Sequence, residues 1–151
     1  MSDPLQVLIG SAESGHVLIT VLGHEHPHAE DYWDGNWLVT PIEIRAGQFS
    51  GSLPADLRSD EMRFFRKGLE ALYGRLKGEA VLASLDGWIT LTISCVTGGR
   101  LTIEGVVNDR PGGGNELAFH LDGLDQSYLP SIIESLLEVE NAFPVRSRPD
   151  S

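Results

Sequence analysis

Between residues 88 and 107 the chain twice alternates apolar with polar side chains, and this period of two constrains its fold more than any other feature. Ile89, Leu91, Ile93 and Cys95 alternate with Thr90, Thr92 and Ser94; Leu101, Ile103, Gly105 and Val107 alternate with Thr102, Glu104 and Val106. Successive side chains of a strand point to opposite faces, so each run reads as a strand with one face in a core. Asp86-Gly87 and Gly98-Gly99 are hairpin signals joining three consecutive strands, and Leu117, Phe119 and Leu121 mark a fourth, giving an antiparallel meander. In this phase Cys95 points inward as a small core residue, and His120 points outward to the surface.

Upstream, Leu5 to Ile9, Val17 to Leu22, Leu38 to Arg45 and Gln48 to Leu53 read as four further strands, with turns around Gly10 to Gly15 and at Ala46-Gly47. Two segments switch to helical spacing. Met62, Phe65, Leu69, Leu72 and Leu76 recur at intervals of three and four, which predicts a helix from about Asp60 to Lys77, with Ser59 as N-cap and Gly78 as the left-handed stop. Leu129, Ile132, Ile133, Leu136, Leu137 and Phe143 form a second stripe, capped by Asp125 or Ser127, with Pro130 in the first turn and Pro144 at the end. The predicted architecture is α+β: about eight mostly antiparallel strands in the order ββββαββββα, with two helices packed on the sheet. The pattern leaves open whether the strands form one curved sheet or two.

A chain of 151 residues fits a single domain spanning 1–151, with a charged, Pro-containing tail expected to fray from about residue 145. The one cysteine excludes an internal disulfide and suits a reducing compartment. No apolar run reaches the ~20 residues needed to span a bilayer, and Met1-Ser2-Asp3-Pro4 lacks the basic and apolar regions of a signal peptide, so a cytoplasmic location is expected. The net charge of −11 repels nucleic acid and anionic lipid and favours basic partners. It is unevenly distributed: residues 1–44 hold seven acids and no Lys or Arg, whereas residues 58–77 hold six of the eleven bases. An acidic binding face is therefore expected away from that basic stretch. The basic helix is not read as a nucleic-acid reader, because its excess charge is small within so acidic a chain.

Two neighbouring segments carry the candidate chemistry. In His24-Glu25-His26-Pro27-His28, extended backbone would project alternate imidazoles to one side, where His24, His26 and His28 could share a zinc or nickel ion completed by Glu25 or His16. Pro27 argues against that geometry and for an exposed polar loop. Next, Asp31-Tyr32-Trp33-Asp34-Gly35-Asn36-Trp37 sets three aromatics and two acids around an Asp-Gly turn. Tyr and Trp supply rigid contact area at interfaces, so Glu30, Asp31, Tyr32, Trp33 and Asp34 are the candidate partner-binding residues, the alternative being aromatics that cap a core. Pro111-Gly112-Gly113-Gly114 lacks the Lys-Ser/Thr of a phosphate loop and reads as a strand connection. No Gly-x-Ser-x-Gly or His-Glu-x-x-His motif is present, no constellation points to catalysis, and no cofactor is expected.

Five stretches, taken in order, resemble one family. They are Pro41-Ile-Glu-Ile-Arg-Ala-Gly-Gln-Phe-Ser-Gly-Ser-Leu53, Phe64 to Ala80, Leu101-Thr-Ile-Glu-Gly105, Asn115-Glu-Leu-Ala-Phe119 and Asp125-Gln-Ser-Tyr-Leu129. Their order and spacing resemble the WapI family of bacterial immunity proteins from about Gly35 to Phe143. The resemblance implies a small, non-enzymatic cytoplasmic protein that neutralises a toxin domain by binding it, and the acidic charge suits a basic toxin. It carries over no binding residue, and residues 1–34 match the family least.

Overall fold

The computed structural model describes residues 3–147. The alternating runs form the expected meander. β8 (Gly78–Ala83), β9 (Ile89–Val96), β10 (Arg100–Asn108) and β11 (Glu116–Leu121) lie in the order β11-β10-β9-β8, all antiparallel. Leu101 pairs with Cys95 and Val107 with Ile89, so the apolar phases of β9 and β10 share one face. Gly105 stands opposite Phe119, whose ring lies so close that a Cβ at Gly105 would sit 2.4 Å from its Cζ. A glycine is required there by packing.

A second four-stranded sheet has the order β1-β2-β5-β6, built from β1 (Leu5–Ser11), β2 (Gly15–Val21), β5 (Ile42–Ala46) and β6 (Phe49–Leu53). Its inward residues, Val7, Ile9, Val17, Ile19, Ile42 and Ile44, are fully buried. Each such side chain stabilises the fold by about 1.5–3 kcal/mol through burial. The run expected as one strand from Leu38 to Arg45 is two: β4 (Trp37–Val39) and β5 diverge at Thr40-Pro41. Proline has no N–H for a ladder, and Thr40 Oγ1 turns instead to the neighbouring strand, accepting from Leu57 N at 2.8 Å. β4 joins β3 (Gly23–His24) and β7 (Asp56–Arg58) in a small third sheet of order β3-β4-β7. The chain is thus α+β with eleven strands in three antiparallel sheets, among the described residues, rather than about eight strands.

The two predicted long helices are present as α2 (Ser59–Arg75) and α3 (Leu129–Ala142). α2 buries Met62, Phe65, Leu69 and Leu72 and packs on β8 and on α3; α3 packs on β1. Gly68 lets α2 approach the sheet, since a Cβ there would lie 3.1 Å from that of Ala80. Arg66 bridges the helices through Glu140 at 2.7 Å.

Three helix-end assignments differ from expectation. The N-cap of α2 is Arg58, whose backbone N–H donates to Glu61 Oε1 at 2.8 Å, because the Ser59 hydroxyl is committed to Asn36 Oδ1 at 2.9 Å. The left-handed stop is Leu76, at φ 55°, with Gly78 already opening β8. Asp125 caps a short 3₁₀ turn, Gln126–Tyr128, that leads into α3, and Pro130 falls within the first turn of that helix. A further helix, α1 (Tyr32–Gly35), occupies the segment read as a turn. No helix among the described residues is long and apolar enough to cross a membrane.

Candidate functional site

The segment from residue 25 to residue 36 contains only four helical residues, yet it is held rigidly from beneath. Asp31 caps α1, its Oδ2 accepting from Asp34 N at 3.2 Å, and Asp31 O accepts from Gly35 N at 2.9 Å. One turn of helix is not stable alone in water. Its support comes from three residues that sequence analysis did not single out: Arg58, Asn36 and Arg146.

Arg58 is only 4% exposed. Its Nη1 donates to Trp33 O and its Nη2 to Tyr32 O, both at 2.8 Å, while Nε pairs with Asp60 Oδ1 at 2.9 Å. The guanidinium lies over the Tyr32 ring, 4.9 Å from its centroid, and near the Trp37 ring at 5.2 Å. A planar fork with five donors suits this task, and each bond from a charged donor contributes about 1.5–3 kcal/mol.

Asn36 is fully buried and uses all its side-chain hydrogen-bonding capacity. Nδ2 donates to Tyr32 O and Arg146 O, each at 3.0 Å; Oδ1 accepts from Ser59 Oγ and Arg146 N, each at 2.9 Å. Arg146 completes the frame, with Nη1 donating to Ala29 O and to Gly35 O. The chain through Arg146 is held by these bonds, and residues 148–151 of the tail expected to fray lie outside the described residues. Gly35 has to be a glycine for this contact, because a Cβ would sit 2.7 Å from the Arg146 Nη1.

On this frame the five candidate residues divide. Tyr32 is half-buried, its hydroxyl donating to Asp60 Oδ2 at 3.2 Å and its ring meeting Trp33 edge-on at 4.9 Å. Asp31 is exposed but serves the helix backbone. Glu30, Trp33 and Asp34 face outward, Trp33 being 58% exposed. The result is a large aromatic side chain between carboxylates on a rigid mount.

The histidine segment is not assembled into a metal site. The His24 ring packs edge-on against Phe143 at 5.1 Å; burial, then the Arg146 charge, push its pKa down, partly offset by a hydrogen bond with the Gly35 backbone. His26 lies 4.0 Å from Glu25, and His28 is exposed. His16 is bound elsewhere, to Glu43 at 3.0 Å on the first sheet. No group of three or more His, Cys, Asp or Glu able to hold a metal occurs among the described residues. Glu25 instead meets acids: burial, then a hydrogen bond and charge from Asp56, and the charge of Asp86, raise its pKa, with His26 opposing.

Two groups near the N-terminus of α2 complete this side of the molecule. Glu61 accepts from Arg58 N and from Leu85 N in the β8–β9 turn, and burial pushes its carboxyl up to about 7 despite those bonds. The turn is further fixed by Ser84 Oγ, which accepts from Trp88 N at 2.7 Å and from Ile89 N at 3.2 Å. Elsewhere, a groove of about 650 Å³ runs between β11 and the β5–β6 turn, lined by Ala46, Phe49, Leu117, Phe119 and Leu121. His120 is exposed at its rim, 3.3 Å from Asp122, and Cys95 is buried as its strand phase implies.

The model of the immunity protein WapI-like family matches residues 8–144. The chain belongs to that family. The match extends over the histidine and aromatic segments, so α1, Asn36 and Arg58 lie within the matched region, and Arg146 lies just beyond it. No curated protein matches the chain. Among solved structures, a chain from the crystal structures of trypanosoma bruciei MRP1/MRP2 is similar at a TM-score of 0.44 and 16% identity, covering 95% of this chain and 88% of that one. That likeness is too distant to bear on function.

Proposed function

We propose that this family member acts by binding, as an immunity-type protein that occludes a cognate bacterial toxin domain, and that the α1 face is its contact. Family membership supports the class of activity. The observation that carries the site is the mounting of Trp33: an exposed aromatic whose backbone carbonyl is held by the buried Arg58 guanidinium. Rigid aromatic anchors lose little conformational freedom on binding and dominate interface energetics. Glu30 and Asp34 flank it as carboxylates available to a partner, and Asp31 and Tyr32 shape the face. A basic toxin domain would be steered to this surface by the net charge of −11, and its association would slow in salt. The action is stoichiometric neutralisation in the bacterial cytoplasm, without catalysis or cofactor.

The test is affinity purification of the tagged chain from its native bacterium at low salt, with retained proteins identified by mass spectrometry and then co-expressed with the chain. Recovery of a toxin whose growth inhibition is relieved by the chain supports the reading. Recovery of background alone, or a recovered protein whose toxicity the chain leaves unchanged, refutes it.

A further inference from the structure

Each four-stranded sheet ends in two edge strands, and their surroundings differ. β1 is packed by α3 and β8 by α2. β6 carries Ser50, Gly51 and Ser52 at its centre and shows no apolar alternation. β11, by contrast, alternates along an open edge: Leu117, Phe119 and Leu121 point inward, while Glu116, Ala118 and His120 are exposed. An edge of this kind is a template for another strand, and residues 116–121 contain no Lys or Pro to blunt it.

The hydrogen-bond phase of the sheet fixes which backbone groups of β11 are open. Asn108 N donates to Trp88 O at 3.0 Å, and Asp109 N donates to Asn115 O at 3.1 Å. In an antiparallel ladder the residues that exchange bonds with one neighbour alternate, so even-numbered residues of β10 bond to β9 and odd-numbered ones to β11. Leu117, Phe119 and Leu121, paired with Val107, Gly105 and Ile103, therefore turn their N–H and C=O groups to β10. Glu116, Ala118 and His120 turn theirs to the open edge. Among the described residues, no hydrogen bond from another segment reaches the backbone of these three.

This edge is self-complementary about Ala118. An antiparallel copy of β11 centred there sets Ala118 against Ala118, Glu116 against His120, and Leu117 against Phe119. The first two are pairs of the bond-exchanging kind, so every open N–H and C=O of the three residues finds a partner. Ala118 has the smallest side chain of the strand and puts no bulk on the two-fold axis. Glu116 meets the imidazole of His120, whose Nε2 lies 3.3 Å from Asp122 Oδ2 of its own chain. The next register, centred on Phe119, would oppose Glu116 to Asp122, and like charges directly opposite are destabilising. On the inward side, half-buried Leu117 meets Phe119 beside the groove of about 650 Å³, whose rim carries the 67% exposed Phe49.

We infer that the open edge of β11 pairs antiparallel with the same edge of a second copy of this chain, in the register centred on Ala118, joining two β8–β11 sheets into one continuous sheet. The contact shares no residue with α1 or with the residues that hold it, so it and the proposed toxin contact stand or fall separately.

The experiment is sedimentation equilibrium of the full chain from about 1 to about 300 μM, in about 150 mM salt to screen the net charge of −11 on each copy. The mass is expected to rise with concentration from one chain to two. His120→Glu sets carboxylates opposite each other at both symmetric places and is expected to weaken dimerisation about tenfold; adding Glu116→Lys restores opposite charges and is expected to bring it back to within about threefold of wild type. Ala118→Pro removes the central N–H, which the ladder to β10 does not use, and is expected to abolish the dimer while circular dichroism stays native. If Ala118→Pro does not fold, His120→Glu and its rescue decide. A monomer at every concentration overturns the inference and leaves the edge to an extended segment of a different protein. A dimer that His120→Glu leaves unchanged, or a loss that Glu116→Lys does not relieve, overturns it equally.

Discussion

Replacing Glu61 by glutamine isolates the energetic consequence of one buried carboxyl. Burial lifts its pKa from 4.5 to about 7, against the opposing pull of the Arg58 and Leu85 backbone N–H groups. The folded protein thus holds this proton more tightly than the unfolded chain. The resulting stabilisation is complete below pH 4.5 and is lost as pH rises through 7, because the folded state must then ionise a carboxyl it has partly removed from water. A rise from 4.5 to about 7 corresponds to about 3 kcal/mol between pH 4 and pH 8.5. Glutamine keeps one carbonyl oxygen for one of the two N–H groups, loses the acceptor for the other at a cost that does not vary with pH, and has no proton to lose in this range. Urea unfolding followed by tryptophan fluorescence, in steps from pH 4 to 8.5, gives the stability of Glu61→Gln relative to wild type. That difference is expected to shift in favour of the variant by about 3 kcal/mol across the range, with most of the change between pH 5 and pH 8. Stability curves that stay parallel would refute the assignment of a buried, proton-retaining carboxyl at this position.

Four further outcomes follow from the same frame. Arg58→Ala removes the guanidinium donors from the Tyr32 and Trp33 carbonyls and from Asp60, and a loss of about 3 kcal/mol in denaturant unfolding is expected, with Arg58→Lys recovering only part because an ammonium lacks the fork. Arg146→Ala is expected to cost about 2 kcal/mol and to speed amide hydrogen exchange of Gly35 selectively, read by mass spectrometry or NMR. Gly105→Ala forces a methyl against the Phe119 ring, and a loss of about 1–3 kcal/mol is expected in thermal or urea unfolding. Trp33→Ala is expected to change stability by about 1 kcal/mol or less in urea unfolding, since the residue is 58% exposed.

Local periodicity made most of the scaffold legible. The strands from Ile89 to Val107 pair in the register their alternation implies, and the stripes beginning at Met62 and Leu129 become α2 and α3. What failed was whatever depended on distant partners. α1 is a single turn, too short to show a period, and it exists because Arg58 and Arg146 reach it from remote points of the chain. Ser59 was the natural N-cap by residue type, but Asn36 competes for its hydroxyl. Leu76 belongs to the apolar stripe by spacing, yet it sits left-handed and partly exposed where the helix stops. Pro41 was the local signal that one strand would be two.

The candidate face was legible as composition and not as geometry. Aromatic and acidic residues between 30 and 37 stood out, but nothing local distinguished Trp33, which faces water, from Tyr32 and Trp37, which flank the Arg58 guanidinium. Asp31 illustrates the difference: by charge it resembles Asp34, but its carboxylate caps α1. Charge reversal at Asp31 would perturb the helix as well as any interface, so Asp34 is the informative acid to reverse.

Neutralisation of a toxin domain by the α1 face is tested most directly by growth protection in cells co-expressing the recovered toxin with wild-type chain, Trp33→Ala, or Trp33→Ala combined with Asp34→Lys. Each chain is matched for expression and for unfolding midpoint. Protection by wild type, weakened protection by the single variant, and none by the double variant despite its native fold are expected. Full protection by the double variant would contradict the account and move the contact to another surface.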